Sequence, residues 1–312
     1  MANILLRSPH YKTVSSGASA KLTITIDGTL RYTIVKNAIN SRVVFEISEL
    51  CRDYIEHSFT QSNTAATIAI ATQRFSYTAA NGGGTETSLD SSPVTDTGYD
   101  GYGLFTGSVN PTFPDASTLF AMQSNLDIYL PDNTASYIPV NYGDSSLDIS
   151  ASLADGSEIF ARSAGKRFTI HRICDPKFDS SKITFLNSFG ALQEMYFFHK
   201  STEDITTTSE SYKRNIFNYA TTSYSTTDHQ TQKFNTNATK KTALNTPFVA
   251  EQFNEGIEEL MLSEYVWLTQ GSVTHPVTPS TKSLRFKTSV NDRLVQYTIQ
   301  FDHTSSVINN VR

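Results

Sequence analysis

Apolar and polar positions alternate with a period of two along much of this chain, and only a few short stretches carry the period of a helix. The clearest alternation opens the chain. Leu22, Ile24 and Ile26 interleave with Lys21, Thr23 and Thr25, and Leu30, Tyr32 and Ile34 with Arg31 and Thr33. Asp27-Gly28 sits between the two runs, and both residues of such a turn need positive φ, so the pattern predicts a tight hairpin. Val43-Val44-Phe45 predicts a further strand. A short helix follows, with Ser48 as N-cap and Leu50, Cys51, Tyr54 and Ile55 on one face.

Residues 64–78 read as one or two strands around Ile68, Ile70, Phe75 and Tyr77. From 79 to 110 the chain is rich in turn formers: Asn81-Gly82-Gly83-Gly84, Ser91-Ser92-Pro93 and Tyr99-Asp100-Gly101-Tyr102-Gly103. That chemistry predicts a long loop, and loops of this length usually carry function. Asp115 to Gln123 fits a short helix. Tyr137-Ile138-Pro139-Val140 fits an edge strand, because proline cannot donate to a ladder.

A polar Ser/Asp/Gly-rich stretch over 141–157 marks a soft boundary between two domains, 1–145 and 146–312. Strands are expected at 158–163, 167–173 and 182–187, a turn at Asn187-Ser188-Phe189-Gly190, and a buried strand at Met195-Tyr196-Phe197-Phe198. Residues 201–245 are dominated by Thr, Ser, Tyr, Asn and Lys, with high β propensity and little apolar content, which predicts an exposed hairpin arm. A helix is expected over 247–261, with Thr246 as N-cap, Pro247 in the first turn and Val249, Phe253, Ile257 and Leu260 on one face. A strand at Tyr265-Val266-Trp267-Leu268 follows. The chain closes on Leu284/Phe286 and Tyr297/Ile299/Phe301 across a turn near Asn291-Asp292. The fold class expected is mainly β: two β-sandwich-like units, two or three short helices and a long hairpin arm.

Composition sharpens this picture. The 312 residues are 38% apolar and only 18% charged, so Ser, Thr, Asn and Tyr supply the exposed surface. The net charge of −5 without a basic run argues against a nucleic-acid partner. No apolar stretch reaches the ~18 residues of a membrane helix. Arg7 and Pro9 interrupt the first apolar run, so a secretion signal is not expected. Cys51 and Cys174 stand in unrelated contexts, as two small buried thiols assembled in a reducing cytoplasm would.

The motifs that could carry chemistry are weak. Asp96-Thr97-Gly98 matches the aspartic-protease triplet, but it lies in the loop and has no second copy to share a proton. Asp96 and Asp100-Gly101 hint at a calcium loop, yet Gly98 and Gly107 stand where that pattern needs an oxygen ligand and a glutamate. His171 and Cys174 are three apart with no partner pair for zinc. Glu258-Glu259 reads as the solvated face of a helix. Asn237-Ala238-Thr239 is a glycosylation sequon by chance. No catalytic residue, metal or cofactor is therefore expected, and a hydrolase would rest on Asp and Glu residues meeting only in space.

Several segments resemble uncharacterised virion proteins of tailed bacteriophages. They are Leu5-Leu6-Arg7-Ser8-Pro9, the hairpin Ile26-Asp27-Gly28-Thr29-Leu30-Arg31-Tyr32-Thr33-Ile34, Phe45 to Tyr54, Asp100 to Phe105, Phe185 to Gln193 and Lys287 to Ile299. The resemblance implies a structural subunit of the tail, baseplate or neck, present in the virion and assembled in the host cytoplasm. Its partners would be copies of itself and other virion proteins. The residues expected to contact a partner are Tyr212, Phe217, Tyr219 and Tyr224 in the arm, with Tyr99 and Tyr102 in the 79–110 loop. The alternative reading is a tail-associated protein that binds host surface glycans through the Tyr and Asp residues of that loop.

Overall fold

The computed structural model describes residues 2–16, 18–59, 64–77, 84–88, 93–105, 110–114, 119–141, 146–160, 166–173, 177–285 and 295–308. The fold is mainly β, with two short α-helices and one 3-10 turn among the described residues.

The predicted hairpin forms Ser19–Ile26 and Thr29–Asn37, with Asp27 at φ 48° and Gly28 at φ 77° in the turn between them. It begins a seven-stranded sheet. From one edge, the order is Thr29–Asn37, Ser19–Ile26, Ala65–Tyr77, Val94–Tyr99, Asn3–Leu5 and Thr112–Phe113, with Gly84–Ser88 paired on the far end of Ala65–Tyr77. Ala20, Leu22, Ile24 and Ile26 point inward with Ile68, Ile70, Ile4 and Leu6. The strand pair Tyr11–Ser15 and Arg42–Glu46 and the helix Ser48–Arg52 add Val14, Val43, Phe45 and Cys51 to this core. Burying each of the Val, Leu, Ile and Phe side chains among these contributes about 1.5–3 kcal/mol.

The second seven-stranded sheet is wholly antiparallel. Its order is Leu192–Phe197, Ser181–Leu186, Val266–Gln270, Val273–Pro279, Thr298–His303, Thr231–Asn245 and Thr202–Lys213. A three-stranded sheet (Asp127–Pro131, Arg167–Ile173, Glu158–Phe160) and the pair Ser136–Pro139 with Ser146–Ile149 contribute to the same core. The helix Asn254–Leu262 adds Ile257 and Leu260. This core runs from Ala121 to Phe301. A third, aromatic cluster of Leu5, Tyr99, Phe113, Phe120 and Met122 with Ala191 and Phe189 lies where the two sheets' loops meet.

Several expectations need correction. Ser48 lies inside its helix. The first N-terminal donor is satisfied by Glu46, whose Oε1 accepts from the Ser48 amide at 2.9 Å and from its hydroxyl. The 79–110 segment is not one loop: it holds the strands Gly84–Ser88 and Val94–Tyr99, while 79–83, 89–92 and 106–109 lie outside the described residues. Residues 119–123 are extended rather than helical, because the amides of Phe120 and Met122 bond to Asn141 Oδ1 and Pro139 O, and residues 115–118 lie outside the described residues.

Thr246 and Pro247 do not start the second helix. Val249 first pairs with Val295, Ala250 is extended, and a 3-10 turn at Glu251–Phe253 leads into Asn254–Leu262. Thr246 Oγ1 instead accepts from the Tyr297 amide at 2.9 Å. The expected face nevertheless holds, since Val249, Phe253, Ile257 and Leu260 are all buried. Leu284 is not in a strand, and Phe286 and the turn at 291–292 lie outside the described residues.

Candidate functional site

The arm is the first candidate. Thr202–Lys213 pairs with Thr231–Asn245 over its whole length, but Thr231–Asn245 meets the rest of its sheet only through Lys241–Asn245. The amides of Val307 and Ile308 donate next to Ala238 O and Asn237 Oδ1, and past Thr208 the two strands continue as a free ribbon to Lys213, roughly 17 Å at ~3.3 Å per residue. All 12 residues of Thr202–Lys213 are exposed. β-branched threonines on both faces stiffen the ribbon, yet they bury nothing, and a two-stranded ribbon alone is only marginally stable in water.

A bulge between Thr208 and Glu210 places Asn235 at φ 51° and leaves one extra residue on the second strand. Past the bulge the ribbon's faces differ in chemistry. One carries Tyr212 and Phe234 in edge contact at 5.7 Å, with the Tyr212 hydroxyl donating to Gln232 at 3.0 Å. The other carries Lys213 and Lys233, which have no acidic partner within 4.0 Å among the described residues. At the base, by contrast, Lys240 and Lys241 pair with Glu203 and Asp302. At the tip Phe217 pairs with Tyr224 across a two-stranded turn and packs edge-on against Tyr219 at 5.1 Å. Tyr219, 77% exposed, and Tyr224 project into solvent.

The structure therefore brings Tyr212, Phe217, Tyr219 and Tyr224 together on one arm and separates them from the other two expected contacts. Tyr99 is only 4% exposed and stacks at a tilt on Phe113, so its ring belongs to the aromatic cluster and not to a surface. Tyr102 is half-buried beneath the Arg7 guanidinium.

The second candidate is the junction between the two sheets. Asp100 is buried there and accepts from Arg52 at 2.7 Å; His57 Nε2 lies 3.1 Å from its other oxygen. Arg52 continues to Glu264 at 2.5 Å, and the His57 ring packs on Tyr265 at 4.9 Å. Burial alone would raise the Asp100 pKa, but the hydrogen bonds from His57 and Arg52 more than offset it and hold the carboxyl below its ordinary value.

Beside this network lies a cleft of about 470 Å3, lined among others by Tyr102, Ser124, Phe189, Glu255, Glu258 and Glu259. Glu258 faces solvent as expected, but Glu259 does not: it is 6% exposed. Its Oε1 accepts from Ser124 at 2.7 Å and Ser188 at 2.6 Å, whereas Oε2 is buried with no hydrogen-bond partner among the described residues. Burial pushes the Glu259 carboxyl above its ordinary value, and burial with nearby Glu259 raises the Tyr102 phenol to about 12. Gly256, one turn before, is the sequence signal for this inward face. A Cβ there would meet Met195 at 3.2 Å, so the helix approaches its neighbours along the side that carries Glu259.

The weak motifs have structural uses. Asp96 Oδ1 accepts from the Ala2 amide at 2.9 Å and ties down the first strand, and Gly98 makes room for Ile68 and Leu6. His171 lies 2.9 Å from Asp127 and stacks on Tyr129; Cys174 lies outside the described residues. Among the described residues, no three His, Cys, Asp or Glu side chains converge to hold a metal, and no helix is long and apolar enough to cross a membrane.

No family model, curated protein or solved structure matches this chain.

Proposed function

We propose that this chain is a structural subunit of a tailed-phage particle, assembling with copies of itself and other virion proteins into a ring or tube of the tail, baseplate or neck. The assembly part rests on the arm. A ribbon that exposes both faces and gathers Tyr212, Phe217, Tyr219, Tyr224 and Phe234 gains little from its own fold. Covered by a partner, the same aromatic side chains become anchors, and its unpaired strand edge can join a neighbouring sheet. The phage part rests on the segments that resemble virion proteins. The glycan reading loses support, since Tyr99 is buried and Asp100 is engaged by Arg52 and His57.

The test is to replace residues 205–240 by an Asn-Gly turn joining the paired Asp204 and Lys241. Light scattering with negative-stain images should show the full chain forming rings or tubes, alone or with the other particle proteins, and the shortened chain staying monomeric. A shortened chain that still enters particles would overturn this reading.

A further inference from the structure

The cleft that holds Glu259 has the features of a binding site for a positively charged side chain. Among the described residues one oxygen of the Glu259 carboxylate is buried and unpartnered, two further carboxylates at Glu255 and Glu258 line the same wall, and the rings of Tyr102 and Phe189 close it. Among the described residues, the cations nearest to it form no ion pair with its carboxylates, although Lys166 stands close enough to feel the charges of Glu259 and Glu255. Lys166 donates to Gln123 O and lies over the Phe120 and Phe189 rings, and Arg7 pairs with Glu264. A metal ion fits poorly, because the three glutamates do not converge on one point. An ammonium on a flexible stem fits better: it donates to several separate oxygens and tolerates an aromatic wall.

The arm supplies such groups. In a chain of net charge −5, its outer section presents Lys213 and Lys233 on one face, neither with an acidic partner within 4.0 Å among the described residues. It cannot readily serve its own cleft. The arm springs from Thr202–Lys213 at one edge of the second sheet, whereas the cleft sits by the turn after Ser181–Leu186, five strand positions away, or ~24 Å at ~4.8 Å per step.

We propose that the lysine face of one copy's arm docks in the Glu255–Glu258–Glu259 cleft of a neighbouring copy. The contact joins two different surfaces, so repeated it closes a ring or extends a tube. It deepens the assembly reading above and rests on it.

The test is a charge swap in the full chain, read as mass against concentration. Lys213→Glu with Lys233→Glu changes exposed ribbon residues, and Glu255→Lys with Glu258→Lys changes the exposed helix wall, so both variants keep the fold. Each is expected to weaken self-association at least about tenfold, and the combined chain to recover most of it. Glu259→Gln, which keeps the shape, should weaken it less than either reversal. If removing the arm abolishes assembly while both reversals leave it intact, this docking is wrong and the assembly reading stands. Weakening by both reversals without recovery in the combined chain also overturns the docking. A full chain that is monomeric at every concentration, alone and with other particle proteins, overturns both.

Discussion

Gly190 packs against the backbone of Asp100 and Gly101 at the junction of the two sheets, and Gly101 packs against that of Ser188 and Phe189. A Cβ on Gly190 would stand 2.9 Å from the Gly101 amide nitrogen, and one on Gly101 would stand 2.4 Å from Ser188 O. Close approach lets the Tyr102 amide donate to Ser188 O at 2.7 Å, which fixes the wall of the acidic cleft.

Gly190 also sits at φ +76°, so Gly190→Ala meets both a clash and a left-handed backbone. Gly28 shares the positive φ, but a Cβ there meets nothing within 4 Å. Gly28→Ala should therefore cost about 1 kcal/mol, and Gly190→Ala about 3 kcal/mol or more. Thermal unfolding of the two variants checks the difference. Equal losses would mean that the junction yields easily.

Asp100 supplies stability that depends on acid. Its folded pKa is depressed below 3.8, so the contribution is complete above that value and is lost as pH falls through the folded pKa. Asp100→Asn should cost about 2–3 kcal/mol at pH 7, toward the low end because Arg52 keeps Glu264 and is partly exposed. Denaturant melts at pH 3 and pH 7 should differ less in this variant than in the parent.

Glu259 acts with the opposite sign. Its folded pKa lies above the ordinary 4.5, so stability is highest below that value and declines as pH rises toward the folded pKa. Glu259→Gln keeps an oxygen for Ser124 and Ser188 and removes the buried charge. The variant should melt higher than the parent at pH 7, and the gap should close at pH 4. A lower melting point at pH 7 would show that the carboxylate is favourable where it stands.

Replacing residues 205–240 by a tight turn should leave the melting temperature within about 2 °C of the parent, because the ribbon contributes almost nothing to either core. A large fall would mean that the arm folds back on its own body in solution.

Much of the architecture was legible in the sequence, for identifiable reasons. Asp27-Gly28 between alternating runs specified its hairpin locally, and the threonine-rich stretch from 201 lacked the apolar residues to be buried, except at its end, where Thr242 and Leu244 enter the sheet and its core. Val94–Tyr99 escaped detection because Thr95, Asp96, Thr97 and Gly98 look like a turn, while their backbones are held by neighbouring strands. The last helix starts later than its Thr-Pro pair suggests, because Thr246 serves Tyr297 across a strand and not its own helix. Glu259 was hidden for a similar reason. A charged residue reads as solvated until the two serines that reach it, 135 and 71 positions away, are known.

The bulge at Thr208/Glu210 has a consequence for how the arm could change over time. Because side chains alternate across a ribbon, taking up the extra residue of the second strand in the bulge keeps Phe234 on the face of Tyr212 and Lys233 on that of Lys213. Deleting Asn235 would set Ser209 opposite Thr236 and leave every outer pair as it stands, while removing the kink and added twist that aim the outer section. A lineage could thus redirect where its arm reaches by a single codon of length, leaving the arm's faces and the body that carries it unaltered.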